Sequence, residues 1–264
     1  MGKTTKEANS FVSRKQIILS FLKEADYVSC KEIQDYCDVS GVTIRRDFAA
    51  LEKEGLLIRT HGGAKKRKSI DYLFSYDDRI KLNKEKKEYI GRVASSLIKP
   101  HDIIFIDCGS TVSFLTKHIV KINPLTVITN SLPIVSELIG FENIKIILIG
   151  GEIDNKRKAV HGYSAIQNIS QYHATKAFIG ADAISLSNGL TSLNERIASV
   201  TLKMAENSDQ VFLLCDSTKI ETDSLVKFAP LSIVSMVVTD KDVNQNTVSR
   251  YHDRGIPIIT ESKH

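Results

Sequence analysis

No feature of this chain restricts its fold more than seven short, mostly apolar runs that recur from residue 103 onward. They are Ile103–Ile106, Leu125–Ile128, Ile144–Ile149, Lys176–Ile179, Val211–Leu214, Val234–Val238 and Ile256–Ile259. Each has the length of a strand and reads as near-continuous apolar sequence, the pattern of strands buried on both faces. Helical patterns stand between them: Ile90, Val93, Ala94 and Leu97 form one stripe, and Val112 to Ile119 reads as a further helix. Doubly buried strands alternating with helices predict a mainly parallel sheet covered on both faces, an α/β fold. At 264 residues, 42% hydrophobic and 25% charged, the chain can build such a core and a smaller domain besides.

In an open α/β sheet, ligands bind beyond the carboxyl ends of the strands, so the residues that end each run matter most. Ile106 leads into Asp107-Cys108-Gly109-Ser110-Thr111, Ile128 into Thr129-Asn130-Ser131 and Ile149 into Gly150-Gly151-Glu152. Ile179 leads into Gly180-Ala181-Asp182, and Leu214 into Cys215-Asp216-Ser217-Thr218-Lys219. Gly109, Ser110 and Thr111 at a helix start offer backbone N–H groups, two hydroxyls and a positive helix end, which suits a phosphate. Lys219 adds a charge-assisted contact, while Asp107, Asn130 and Asp216 are residues that read sugar hydroxyls. Singly, each cluster reads equally as a capped tight turn. Five clusters at five strand ends point to one shared pocket, with Ser131, Gly150, Gly151, Glu152 and Asp182 also at its wall. The chain has no complete dinucleotide fingerprint or Walker motif, and no cofactor is expected.

The first quarter of the chain has a different character. Up to Lys68 it carries 14 Lys+Arg against 9 Asp+Glu, and the remainder carries 22 of each sign, so the whole net charge of +5 sits in this segment. A basic small module on a neutral large one fits a nucleic-acid-binding head on a ligand-binding body, although a solvated basic tail has the same charge. The pattern inside the segment decides. Ser13-x-x-Gln16 and Ser29-x-x-Glu32 both fit the capping box. The first is expected to open a helix with Ile17, Ile18, Phe21 and Leu22 inward. The second opens a short helix from Lys31 to about Tyr36, with Ile33, Tyr36 and Cys37 inward. After a tight connection at Asp38-Val39, Ser40 caps a third helix to about Lys53, with Ile44, Phe48 and Leu51 on one face and Gly55 as the stop.

Two helices joined by so short a turn have helix-turn-helix spacing. Thr43, Arg45 and Arg46 face away from the apolar stripe at the leading end of the third helix, where such side chains read bases in the major groove. Leu56 to Arg59 reads as a strand, His61-Gly62-Gly63 as the turn of a small wing, and Lys65-Lys66-Arg67-Lys68 as a phosphate-contacting or linker segment. Ser29, Ser40, Thr43, Arg45, Arg46, His61, Lys65 and Lys66 are therefore the candidate contacts to double-stranded DNA. The expected organisation is an N-terminal tail (1–12), a winged helix-turn-helix domain (13–68), a linker (69–83) and the α/β domain (84–264).

The four cysteines, Cys30, Cys37, Cys108 and Cys215, are scattered in apolar surroundings, which predicts buried, reduced thiols. Cys30 and Cys37 lack the further pair of ligands that a zinc site needs. No apolar run approaches the roughly 18 to 20 residues that span a bilayer. The first residues lack the apolar stretch of a secretory signal, and Lys6 stands where myristoylation of Gly2 needs Ser or Thr. A cytoplasmic protein with no membrane partner is expected.

The stretch from Ser13 to Ala64 resembles the DeoR family of bacterial sugar-metabolism regulators, above all in Val42-Thr43-Ile44-Arg45-Arg46-Asp47, Leu51-Glu52, Gly55-Leu56-Leu57 and Arg59-Thr60-His61-Gly62-Gly63-Ala64. Asp47 is expected to orient the arginines beside it or to cap backbone. The strand-end clusters resemble the family's effector domain, together with Phe178-Ile179-Gly180-Ala181-Asp182 and Gly189-Leu190-Thr191. That domain is similar in fold to ribose-5-phosphate isomerases and glucosamine-6-phosphate deaminases, which implies a phosphorylated sugar as effector. Where many members carry an Ala-x-x-Lys-Arg type of stretch, this chain reads Ala198-Ser199-Val200-Thr201-Leu202-Lys203 and loses two charges near Thr201. Glu195, just before it, is kept as a pocket candidate.

The resemblance implies a repressor acting on operator DNA as a homo-oligomer, dimer or tetramer, and relieved by a sugar phosphate. A rival reading is a sugar-phosphate isomerase or deaminase carrying a DNA-binding module, because Asp107, Asp182, Glu195 and Lys219 include the residue types of general acid–base chemistry. A third is an architectural DNA binder with a degenerate pocket.

Overall fold

The second and third helices of the chain form where the capping chemistry allows. In the computed structural model, which describes residues 11–53, 56–66 and 75–262, contacts divide the chain into two units, residues 1–78 and 79–264. The first unit runs α1 (Phe11–Glu24), β1 (Tyr27–Ser29), α2 (Cys30–Cys37), α3 (Gly41–Lys53), β2 (Leu57–Thr60) and β3 (Gly63–Lys66). At α2 the capping box is complete: Glu32 N donates to Ser29 Oγ at 3.1 Å, and Ser29 N donates to Glu32 Oε2 at 2.7 Å. Asp38, left-handed at φ 52°, ends that helix, and Ser40 Oγ accepts from Thr43 N at 3.3 Å to start α3. Ile18, Leu22, Ile33, Cys37, Ile44, Phe48, Leu51 and Leu57 close one core.

Four expectations about this unit change. Ser13 lies inside α1 instead of capping it: Phe11, two residues before it, is already helical and packs against the core. Tyr36 points outward at 60% exposure and only meets the edge of Phe21, since so short a helix buries one narrow stripe through Ile33 and Cys37. Asp47 neither orients Arg45 and Arg46 nor caps a helix. It turns inward, 3% exposed, and its carboxylate accepts from Arg14 of α1 at 2.6 Å (Nε) and 3.2 Å (Nη2). The wing has a third strand, β1, giving the antiparallel order β1-β3-β2. At Gly63 a Cβ would sit 2.1 Å from the Val28 carbonyl oxygen, so β1 and β3 can approach only over a glycine. Gly55, Arg67, Lys68, residues 69–74 and most of the expected N-terminal tail lie outside the described residues.

After α4 (Tyr76–Arg79), the second unit runs α5 (Lys84–Ser95), β4 (Ile103–Ile106), α6 (Thr116–Ile119), β5 (Leu125–Thr129), α7 (Leu132–Leu138), β6 (Ile144–Leu148), β7 (Glu152–Asp154) and β8 (Ala159–His161). It continues with α8 (Tyr163–Ile169), β9 (Ala174–Ile179), β10 (Ala183–Ser185), β11 (Gly189–Ser192), α9 (Glu195–Glu206), β12 (Ser208–Leu214), β13 (Val226–Ala229), β14 (Met236–Val238), α10 (Gln245–His252) and β15 (Ile258–Ile259). All seven apolar runs contribute a strand to one parallel sheet, ordered β15-β14-β12-β9-β4-β5-β6. The helix expected over Val112–Ile119 begins as a 3-10 turn, Val112–Leu115, before α6.

Alternation splits each strand between two cores. Ile104 and Ile106 pack under α5, α6 and α7, whereas Phe105 joins the core on the other face with residues of α8, α9 and α10. Two small antiparallel pieces, the hairpin β7–β8 and the sheet β10-β11-β13, sit apart from the main sheet's ladder. The chain enters the sheet at β4, winds outward through β5 to β6, then returns to β9 on the other side of β4 and winds to β15. The strand order therefore reverses between β4 and β9, where the loops of an open α/β sheet part to form a crevice.

The inward ion pair gives a direct test of the first unit. Asp47→Ala leaves the Arg14 guanidinium buried without its bidentate carboxylate, and removing one partner of such a pair costs about 3 kcal/mol. We predict an early melting transition for the helix-turn-helix unit with that of the α/β unit unmoved, read by calorimetry. Coincident, unshifted melting would show that the pair does not support this unit.

Candidate functional site

On the first unit, α3 carries its two faces at helical period. Ile44, Asp47, Phe48 and Leu51 are buried, while Val42, Arg45 and Arg46 are exposed. Val42, 71% exposed, is an apolar side chain on the polar leading edge that the sequence reading did not single out. Ser29 and Ser40 are the caps of α2 and α3, Thr43 is half-buried with its hydroxyl 2.9 Å from that of Ser40, and His61 and Lys65 are exposed on the wing. Lys66 ends β3. Between α2, α3 and the wing lies a groove of about 580 Å3 whose wall includes Lys31, Arg45, Arg59 and His61. Glu52 holds Arg59 there at 3.2 Å.

On the second unit, the reversal point is floored by Asp107, the first residue after β4. It is 3% exposed, and its Oδ2 accepts from Gly180 N at 3.2 Å, just past β9, while its Oδ1 accepts from Thr201 Oγ1 of α9 at 3.3 Å. Burial pushes the Asp107 carboxyl up, and the backbone N–H groups of Gly180 and Cys108 partly oppose this. Gly109 lies beside Gly180 with Ser110 and Thr111 buried next to it, and Thr111 Oγ1 has no hydrogen-bond partner among the described residues. Asn130 is buried beyond β5. Its Nδ2 donates to Val160 O at 3.0 Å, and its Oδ1 has no partner among the described residues.

Three cations converge on this crevice from outside the strand ends or from a neighbouring turn. Lys87 of α5, 3% exposed, donates to Ser110 Oγ at 3.1 Å and to the carbonyl of Arg79. Burial, with Lys219 and Arg79 nearby, pushes it down to about 7. Lys219 donates to Ala181 O at 3.0 Å and is lowered by burial and by Arg79. Arg79 pairs with Asp182 at 2.9 Å. Burial alone would raise Asp182, but Arg79, Lys219 and Arg157 outweigh it and hold the carboxyl well below the usual range. Asp216 is buried as the cap of a 3-10 turn, accepting from Thr218 N at 3.2 Å and Asn83 Nδ2 at 3.3 Å.

The structure thus gathers Asp107, Gly109, Ser110, Thr111, Asp182, Asp216 and Lys219 around one crevice, with Asn130 buried beside it. Ser131 caps α7 through Ile134 N at 3.5 Å. Gly150, Gly151, Glu152 and Glu195 are exposed; Glu152 pairs with Arg196 at 2.5 Å, and Glu195 is the first residue of α9. Arg79, Lys87, Arg157, His161 and Thr201 were missed. A signal existed for Lys87, which stands three and seven residues before Ile90 and Ala94 on the buried stripe of α5. Arg79 and His161 carry no comparable local mark.

A basic helix-turn-helix on one unit and a polar crevice at the reversal point of a parallel sheet on the other are the working parts of a ligand-sensing transcriptional regulator. The chain belongs to the DeoR family: residues 14–69 match the DeoR-like helix-turn-helix domain, and residues 82–241 match the DeoR C terminal sensor domain. The HTH-type transcriptional repressor GlcR of Bacillus subtilis is 34% identical over 242 residues, which are 92% of this chain and 93% of that one. The L-fucose operon activator of Haemophilus influenzae is 32% identical over 88% of this chain and 93% of its own. Among solved structures, ribose 5-phosphate isomerase A of Methanocaldococcus jannaschii aligns over 52% of this chain and 55% of its own, at 16% identity and a TM-score of 0.39. Among the described residues no helix is long and apolar enough to cross a membrane.

Lys87 makes the stability of the α/β unit depend on pH in a definite direction. Its folded value, about 7, lies below the ordinary 10.5, so between these limits the unfolded chain binds a proton that the folded one does not. Its contribution to stability therefore rises with pH across that window. We predict that Lys87→Met flattens this rise, measured by urea denaturation at pH 7 and pH 9.5. An equal rise in both proteins would contradict the environment described for Lys87.

Proposed function

We propose that this protein represses a carbohydrate-metabolism operon, and that a phosphorylated sugar bound in the crevice between β4 and β9 controls its hold on operator DNA. The observation that carries the effector half is a cluster of cations: Lys87 on Ser110 of the βα turn, with Arg79 on Asp182 and Lys219 on the Ala181 carbonyl close enough to lower it. A phosphate would take its hydrogen bonds from Ser110, Thr111 and the backbone N–H groups of that turn, and its charge would offset the burial and the repulsion from Lys219 and Arg79 that lower Lys87. Asp107, Asn130 and Asp216 stand where they would meet hydroxyls. The repressor sign follows the GlcR-type relative; the activator named among the other relatives is the reason to measure it.

The head would place Val42, Thr43, Arg45 and Arg46 in the major groove, Val42 against a thymine methyl, with the wing residues His61, Lys65 and Lys66 on phosphates. A homo-oligomer, dimer or tetramer, would set two such helices on the half-sites of a cytoplasmic operator. Effector and DNA then compete through a difference in affinity between two states of the protein. The body binds sugar phosphate without turning it over: Asp182 is committed to Arg79, and Glu195 faces solvent.

The first test is a thermal-shift screen against sugar phosphates and their unphosphorylated parents. A ligand at ~100 times its Kd stabilises by about 2.7 kcal/mol, so a shift by one phosphorylated sugar and not by its parent is expected. The same sugar phosphate should be returned unchanged after incubation; steady conversion would make the protein an enzyme, and no shift by any sugar phosphate would remove the effector. For the head, Arg45→Ala and Arg46→Ala are each expected to abolish binding to duplexes selected by the wild-type protein while leaving the ligand shift intact. Wild-type affinity in both variants would overturn the assignment of α3 as the base-reading helix.

A further inference from the structure

His161 is the last residue of β8, paired across the hairpin with Glu152. It is 3% exposed, and among the described residues neither ring nitrogen has a hydrogen-bond partner. Buried polar atoms without partners cost stability and are rare unless something else satisfies them. The ring lines a cavity of about 150 Å3, bounded also by Glu152, Asp154, Asn194, Arg196 and Ile197. A second orphan lies close in the chain's fabric. Asn130 Nδ2 is tied to the carbonyl of Val160, the residue before His161, and Asn130 Oδ1 is left without a partner among the described residues.

The charges around His161 narrow the chemistry of what it can meet. Burial lowers the imidazole, which Asp107 and Asp154 only partly oppose, so at neutral pH the ring has one donor and one acceptor. An alcohol offers the same pair of functions. A phosphate or carboxylate offers acceptors only, and beside His161 it would meet the carboxylates of Asp154, Asp107 and Glu152 as well as Arg157 and Arg196, the latter already paired with Glu152. The cations Lys87 and Lys219 belong to the turns after β4 and β12 or face them, whereas His161 reaches the region from the hairpin that follows β6.

We propose that His161 is a specificity-determining residue that hydrogen-bonds a hydroxyl of the effector's sugar portion, and that the hairpin β7–β8 exists to deliver it. The inference rests on the sugar-phosphate reading given above and assigns within it the group that tells one sugar from another. Leu at this position would keep the bulk and remove both hydrogen-bonding nitrogens; Gln would restore a donor and an acceptor.

The experiment titrates wild type, His161→Leu and His161→Gln with inorganic phosphate and with a set of pentose and hexose phosphates, by calorimetry. We expect the wild type to bind one sugar phosphate more tightly than inorganic phosphate. His161→Leu should weaken that sugar phosphate about tenfold, the equivalent of one lost hydrogen bond, with inorganic phosphate within about twofold of wild type. His161→Gln should recover part of the preference. An unchanged preference in His161→Leu would overturn the proposal, as would an equal loss for both ligands, which marks a merely structural role. If no phosphorylated compound binds the wild type, the sugar-phosphate reading itself fails and this inference falls with it, a result distinct from either of those. A measurement on the wild type alone guards against a variant that does not fold. The ring-nitrogen resonances of His161 should move on adding the sugar phosphate and stay put on adding inorganic phosphate; resonances indifferent to both would contradict the assignment.

Discussion

A parallel sheet entered in its middle has to be wound outward twice, and the crossover helices of the two windings leave on opposite faces. In this protein α6 and α7 connect β4, β5 and β6 on one face, and α9 and α10 serve the winding from β9 to β15 on the other. The two sets of loops part between β4 and β9. The hydrogen bond from Gly180 N to the buried carboxylate of Asp107 crosses that line, and the turns carrying Gly109 and Gly180 approach closely beside it. The position of every other group in the crevice follows from that juncture, since each sits on a turn or helix that the winding order has already placed.

The crevice is costly as a piece of folded protein. A lysine is buried deeply enough to lose much of its basicity, an aspartate is held ionised by an arginine, and four side-chain atoms of Thr111, Asn130 and His161 lack partners among the described residues. Such an arrangement opposes folding and persists because two apolar cores, one on each face of the sheet, over-determine the surrounding backbone. The same cost is what a ligand recovers on binding. A ligand that supplies an anion to Lys87 and hydroxyls to the orphan atoms changes little in the cores, so any signal it sends must arise from a difference in its affinity for two states.

The helix-turn-helix unit keeps its supports and its reading surface on opposite sides of one helix. Ile44, Asp47, Phe48 and Leu51 turn inward, Asp47 onto Arg14, while Val42, Arg45 and Arg46 turn out. Change at the outward positions touches none of the residues that close the core, which is the physical condition for altering the bases read without altering the fold. The wing is less permissive: Gly63 admits no side chain against the Val28 carbonyl.

Much of this was legible in the chain itself, because it depends on neighbours in sequence. Near-continuous apolar runs marked the seven parallel strands, the capping box at Ser29 and the cap at Ser40 set the start of α2 and α3, and the polar turns after the strands marked the ends where a ligand site would lie. The pieces that escaped, β1, β7, β8, β10, β11 and β13, are three or four residues long and lack the continuous apolar run that marked the equally short β4, β14 and β15. Asp47 was misread for a related reason: its partner Arg14 is 33 residues away, and no local rule joins them. Tertiary structure alone decided that Arg79 and Lys87 would face Ser110, Asp182 and Lys219, that Thr201 would meet Asp107, and that His161 would be buried without a partner. Local order follows from backbone geometry and short-range hydrogen bonds, which a sequence displays. The charge state and unmet hydrogen bonds of a buried group follow from whatever the folded chain packs around it, and that is settled only when distant segments meet.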